Sequence, residues 1–334
     1  MEGGRAPLPR ARLLLAGDGG QLPQGIPPSH APREGTARGG LSALVGIDVG
    51  GTAIKGGAVS TGGEIITRRE IPSGIDEGPE AVVERLAGLA RELGAVDALG
   101  LGVPGLLDRE RGVVLSSPNL RPLDDFPLRD ELARRLAIES GNVRIENDAN
   151  VAAIGEHWLG GARGESHVLL VTLGTGVGGG LILGGRLFLG EGGGGEVGHT
   201  VVDAAGPLCG CGQHGCLEVL ASATAARRRA REAGLTEDLE ELAAAARAAP
   251  GAERDLLRAV GGDLGRGLGT VVTLLDLRCF LIGGGFGRAL DVLRAGVAEG
   301  IAERTTGPGR AGLRILCAEL GPDAGWIGAA RLAC

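Results

Sequence analysis

Four metal-binding side chains fall within one short stretch, GHTVVDAAGPLCGCGQHGCLE: His199, Cys209, Cys211 and Cys216. Thiolate and imidazole are the donors that Zn²⁺ accepts in a closed tetrahedral site. Gly210, Gly212 and Gly215 let the backbone turn sharply enough to aim three sulfurs inward. Two other readings stand beside it, reduced packed cysteines or a redox pair, although C-x-C is not the usual C-x-x-C redox spacing. His214 lies inside the loop and competes with His199 as the fourth ligand. Four protein ligands leave no position for a catalytic water, so the expected zinc is structural.

A second group of residues suits phosphoryl chemistry. Asp148 stands in ENDAN, at an expected strand end before a helix, where open α/β sheets put their ligands. A carboxylate there can take the proton of a hydroxyl as its oxygen attacks phosphorus. Helix N-capping by Asp148 or Asn147 accounts for the same spacing equally well. In Asp48-Val49-Gly50-Gly51-Thr52, small residues expose N–H donors and Thr52 adds a hydroxyl, so the loop could cradle phosphate; a plain β-turn is the alternative. Asp48 repels phosphate and suits Mg²⁺ or its waters. Lys55 faces either the phosphates or solvent. Gly174-Thr175-Gly176 and Gly283-Gly284-Gly285 are further nucleotide candidates. None of these loops is a P-loop. TGVGGG at 175–180 is followed by an apolar strand in place of a helix, which argues against a nicotinamide dehydrogenase.

The elements that must carry these residues alternate. LVGI from Leu44 and GGAVS flank the first glycine turn as strands, and 78–94 follows as an amphipathic helix with Val82, Leu86 and Leu89 or Leu93 on one face. Strands are expected at 98–105 and 142–148, and helices at 128–139 and 149–159. VLLVTLGTGVGGGLIL, from 168, repeats the pattern of LVGIDVGGTAIKGGAV at a long interval. Two similar halves could then offer backbone N–H groups to one ligand across a cleft, although chance likeness between glycine-rich hairpins remains open. Residues 222–260 read as helices and 264–275 as a further helix despite its glycines. A strand runs into a glycine turn at 279–287, a late strand occupies 313–320, and a closing helix spans 324–333. Strand–helix alternation implies an α/β fold.

Composition bounds the rest. The 334 residues exceed one typical core, so two domains are expected. A formal charge of -7 and 2% aromatic residues argue against a nucleic-acid binder. Of the six cysteines three fall within eight residues and three are scattered, which is not the framework of a small secreted domain, and a reducing, cytoplasmic setting fits them better. No apolar run is long enough to span a bilayer, and ARLLLAG at 11–17 is short for a signal segment, so no membrane partner is expected. Residues 1–40, rich in Gly, Pro and Arg, read as a disordered lead.

Taken in order, GIDVGGTAIK, GVPG, SSPNL, ENDANVAAIGE, VTLGTGVGGG, GEVGH, CGCGQHGCLE, LIGGG and GPDAGWIGAA resemble the ROK family of bacterial sugar kinases and related repressors, over roughly 44–331. The resemblance implies a two-domain actin-like ATPase (ribonuclease-H-like) fold with its active site in the interdomain cleft. It divides the chain into a smaller domain at 41–147, a larger zinc-bearing domain at 148–320, and a closing helix at 321–334 packed back on the smaller domain. It implies ATP-dependent phosphorylation of a hexose at its primary hydroxyl, glucose first, with N-acetylmannosamine, N-acetylglucosamine or fructose as alternatives and a sugar-responsive regulator as the more distant one. Asp148 becomes the general base. Gly105, Asn119, Asn147, Glu196, His199 and Glu218 resemble sugar contacts. Asp48, Gly50, Gly51, Thr52, Lys55, Gly174, Thr175, Gly176 and Gly284 resemble the ATP and Mg²⁺ site. The resemblance also favours His199 over His214 as the zinc ligand, and implies a homodimer or higher oligomer. The stretch before Glu196 departs from the family pattern, with GGGG where many relatives carry an Ala. The lead at 1–40 does not resemble the winged helix of the family's repressors.

Overall fold

Apolar residues at every second position, Val45, Ile47 and Val49, bury one face of the first strand, β1 (Ala43–Val49). It belongs to a computed structural model that describes residues 43–95, 97–117, 119–307 and 311–334; the lead expected at 1–40 lies outside the described residues. The chain continues through β2 (Ala53–Ser60), β3 (Ile65–Pro72), α1 (Pro79–Glu92) and β4 (Leu99–Val103). Next come a small hairpin of β5 (Leu106–Asp108) and β6 (Val113–Ser116), then α2 (Leu128–Leu136) and β7 (Val143–Asn147). The strands form a five-stranded sheet in the order β3-β2-β1-β4-β7. Its β1–β2–β3 side is antiparallel, whereas β4 and β7 run parallel to β1.

The second half repeats this design. It contains α3 (Asp148–Trp158), β8 (His167–Leu173), β9 (Val177–Leu183) and β10 (Arg186–Leu187). There follow α4 (Leu217–Ala221), α5 (Ala223–Glu232), α6 (Leu239–Ala248), α7 (Ala252–Leu275), β11 (Cys279–Gly283), α8 (Leu290–Arg304), β12 (Arg314–Cys317) and α9 (Ala324–Leu332). The sheet order is β10-β9-β8-β11-β12, again antiparallel on one side and parallel on the other. The β1–β2 turn at Gly50–Thr52 and the β8–β9 turn at Gly174–Gly176 thus occupy matching places, so the repeat read in the sequence corresponds to a repeated topology.

Each sheet has its own apolar core. Ile47, Leu86, Leu101 and Leu132 belong to the first, and Val171, Leu217, Leu264, Phe280 and Leu293 to the second. The last helix, α9, lies against the first sheet and α3. Gly46 and Gly100 make that approach possible: a Cβ on Gly46 would stand 2.0 Å from the Trp326 carbonyl oxygen, and one on Gly100 1.8 Å from that of Ala329.

Two readings of the sequence need correction. The helices expected on either side of residues 261–263 are one continuous helix, α7. Its interior glycines are contact points: a Cβ on Gly261 or Gly265 would meet the carbonyl oxygens of Leu293 and Val297 on α8 at 2.3 and 2.2 Å. Packing against α8 outweighs the poor helix propensity of glycine. Strand β3 was not anticipated. It is an edge strand exposed along most of its length, so IITRREIP lacks the alternation that marks a half-buried strand.

Candidate active site and metal centre

The zinc ligands converge. The donor atoms of His199, Cys209, Cys211 and Cys216 all lie within 4.8 Å of one another. His199 Nδ1 is 3.7 Å from Cys209 Sγ, and Cys211 Sγ is 3.6 Å from Cys216 Sγ. A tetrahedron with Zn–S near 2.3 Å and Zn–N near 2.0 Å has edges of roughly 3.5–3.8 Å, so the donor set fits zinc. His214 stands outside the cluster, its Nδ1 3.0 Å from the Gly206 carbonyl oxygen, and this settles the fourth ligand in favour of His199. Gly212 and Gly215 have φ of 89° and 66°, the left-handed turns the loop requires. Burial and then the neighbouring sulfurs push the Cys216 thiol up to about 12. Bound zinc reverses that balance, because it takes the thiolate.

Asp148 is the first residue of α3, directly after β7. The capping role falls to Asn147, whose Oδ1 accepts from the N–H groups of Ala149 (2.9 Å) and Asn150 (3.3 Å). Asn147 Nδ2 donates to the Gly105 carbonyl at 3.2 Å, which joins two of the expected sugar contacts. Asp148 Oδ1 accepts from Ala149 N–H at 2.9 Å, and among the described residues no side chain donates to it. Burial holds its carboxyl above the usual range, with the Glu196 charge adding to the shift.

Asp48, at the end of β1, faces the same space. Burial and then the Asp148 charge raise it to about 7, and Lys55 pulls it partly back. A cavity of about 220 Å³ brings Asp48, Lys55, Asp148 and Gly284 together with Thr172 of β8 and the Gly321–Gly325 turn into α9. Both sheets therefore contribute to its walls. A larger concavity, about 300 Å³, lies over α7 and α8. Its Arg229, Arg258 and Arg266 are each paired with carboxylates, so the smaller, acid-bearing cavity is the better reactive site.

The remaining expected residues do not line that cavity. Gly50, Gly51 and Thr52 form a turn tied down by Ser73, whose Oγ donates to the Gly51 carbonyl at 2.6 Å and whose N–H donates to that of Thr52 at 3.0 Å. Asn119 is exposed next to this turn: a Cβ on Gly51 would meet its carbonyl oxygen at 3.0 Å. Gly174, Thr175 and Gly176 are held by the start of α5. Ala223 N–H donates to the Gly174 carbonyl and Thr224 Oγ1 to that of Thr175. Glu218 belongs with this turn, its Oε2 accepting from Val177 N–H at 3.1 Å. Glu196 is exposed just before the zinc ligand His199.

Two buried acids of ENDANVAAIGE escaped the sequence reading. Glu146, 3% exposed, is ion-paired with Arg109 of the loop between β5 and β6. Glu156 is fully buried and accepts from the N–H groups of Gly161, Glu319 and Leu320. Spacing offered a signal for the second. Asp148, Ala152 and Glu156 sit four residues apart on one helix face, and all three line the cavity. Arg109 gave no such signal, because its partner is 37 residues away.

The sequence pattern of the ROK family matches residues 44–334. The chain belongs to the ROK family. This ROK protein is 36% identical over 308 residues to a glucokinase of Thermotoga maritima, an alignment covering 86% of this chain and 96% of that one. It is 33% identical over 292 residues to an N-acetylmannosamine kinase of Escherichia fergusonii, covering 86% and 97%. It is also similar to the crystal structure of a ROK family glucokinase from Streptomyces griseus in complex with glucose and AMPPNP, with 32% identity and a TM-score of 0.72 over 87% of this chain and 99% of that one. It has the ROK sugar-kinase fold and carries a His-Cys₃ zinc-binding motif. No helix among the described residues is long and apolar enough to cross a membrane.

Proposed function

We propose that this ROK protein transfers the terminal phosphoryl group of ATP to the primary hydroxyl of a hexose, with glucose as the preferred acceptor. One observation carries the reading: Asp148 lies in a cavity walled by both sheets, relieved of capping by Asn147 and raised above the usual carboxylate range. A base poised closer to neutral pH accepts a proton more effectively as the sugar oxygen attacks phosphorus. In this account Gly105, Asn119, Asn147, Glu196, His199 and Glu218 hold the sugar. The turns at Gly50–Thr52 and Gly174–Gly176, with Lys55 and Gly284, hold the nucleotide through backbone N–H groups and one cation.

Asp48 and Asp148 offer hard oxygen donors close enough for one charge to raise the other, which suits Mg²⁺ carried in with ATP. Mg²⁺, when bound, would neutralise charge on the phosphates. Zinc would fix the loop from His199 to Cys216 and so orient Glu196 and Glu218 on either side of it. The parts at 41–147 and 148–320 would close on the bound pair and exclude water, limiting wasteful hydrolysis of ATP.

Glucose ranks first because the glucokinase of Thermotoga maritima is the more similar relative, at 36% against 33% for the N-acetylmannosamine kinase. The test is a panel of hexoses and N-acetylated hexosamines with ATP and Mg²⁺, read as ADP release. The account expects the highest kcat/KM with glucose. A maximum with N-acetylmannosamine would move the assignment to that sugar, and no turnover with any member would contradict the kinase reading.

A further inference from the structure

Arg109 bridges two segments far apart in sequence. Its Nε donates to Glu146 Oε2 at 2.7 Å and its Nη2 to Glu146 Oε1, while its Nη1 donates to the carbonyl oxygen of Gly192 at 2.9 Å. Arg109 is held from behind by Arg129, which donates to its carbonyl at 3.2 Å. Glu146 Oε1 also accepts from Asn147 N–H (2.7 Å) and from Asn150 Nδ2 (2.9 Å), on the two sides of Asp148. Gly192 belongs to GEGGGGE, where five of the six residues before Glu196 are glycine. Gly190, Gly192 and Gly195 take φ of 55°, 114° and 94°, and such a stretch has much conformational entropy to lose on ordering. A planar guanidinium forked onto a buried carboxylate is a rigid anchor for it.

We infer that Arg109 is a positioning residue, which ties the glycine-rich loop carrying Glu196 to the buried Glu146 under the start of α3 and so presets the sugar side of the site before substrate arrives. The inference rests on the sugar-kinase reading. Gly192 and Gly194 N–H also donate to the Leu189 carbonyl, so the loop has its own turn; Arg109 adds the tie that fixes this turn against α3, so that sugar binding need not supply it. Loss of the bridge then weakens sugar binding and leaves the nucleotide turns untouched.

Three variants test this on the full chain. Arg109→Lys keeps a positive charge at Glu146 but cannot fork onto it and reach Gly192 together. Arg109→Met combined with Glu146→Gln removes the buried charges as a pair, which avoids the folding penalty of a lone buried carboxylate. Arg111→Ala, an exposed arginine of the same hairpin, is the control. For both Arg109 variants the expected result is a sugar KM raised about tenfold or more with the ATP KM within about twofold of the parent. Amide hydrogen exchange in the sugar-free protein should quicken at 190–195 and stay unchanged in β5 and β6. Folded variants with unaltered sugar KM would overturn the inference, as would an equal rise in both KM values. A parent chain inactive on every sugar would instead overturn the kinase reading, leaving the exchange measurement to decide the role of Arg109.

Discussion

Asp48 carries an electrostatic cost that a simple substitution can expose. Its folded pKa, about 7, lies above the ordinary 3.8, so the folded protein holds that proton more tightly than the unfolded chain. The resulting stabilisation is complete below about pH 4 and is lost as pH rises through 7. Asp48→Asn should therefore raise the Tm of the ligand-free protein by a few degrees at pH 8, and the two melting curves should converge near pH 4. Glu196 has a related effect on Asp148, secondary to burial. In Glu196→Gln the acid limb of the kcat profile should move to lower pH, because a carboxylate freed of a like charge ionises more readily; an unmoved limb would separate the two residues. At this scale the zinc ligands were legible because their chemistry is written in short spacings; the spacing around Asp148 suited a base and a helix cap equally, and only the family resemblance singled it out. Which of Asn147 and Asp148 caps the helix was not legible, since both can cap and only the backbone geometry decides. Arg109 was hidden because a buried ion pair between distant segments leaves no periodic trace.

Several of the closest approaches between elements are made at glycine. The closing helix α9 can lie on β1 and β4 because Gly46 and Gly100 present bare backbone to it. Gly100→Ala should cost about 1–3 kcal/mol or more by forcing α9 off the sheet, read as a lower Tm in thermal melts. Gly88→Ala on α1, where an added Cβ meets nothing within 4 Å, should be neutral or slightly stabilising. The same feature explains what the sequence obscured. In α7, glycines that lower helix propensity are the residues that let α8 approach, so a local reading sees a break where packing makes a contact. In β3 the signal was missing for another reason: both faces are largely exposed, so there is no alternation to read. Strands β1, β4, β8 and β11 were legible because their apolar runs end at glycine turns.

At the scale of the molecule, two sheets of like topology set two like turns, Gly50–Thr52 and Gly174–Gly176, at corresponding places. The repeat of LVGIDVGGTAIKGGAV in VLLVTLGTGVGGGLIL made that legible, although the repeat could not fix how the halves share a ligand. The metal centre lies between β10 and α4, outside the repeat. Chelation should remove about one zinc per chain and lower the Tm, and Cys211→Ser should reproduce the loss, read by metal analysis. Everything proposed for activity converges on Asp148, and the most direct measurement compares glucose binding by calorimetry with turnover in Asp148→Asn. The account predicts kcat reduced by about 10²–10⁴ with the glucose Kd within a few-fold of the parent. Near-parental kcat in that variant would contradict it.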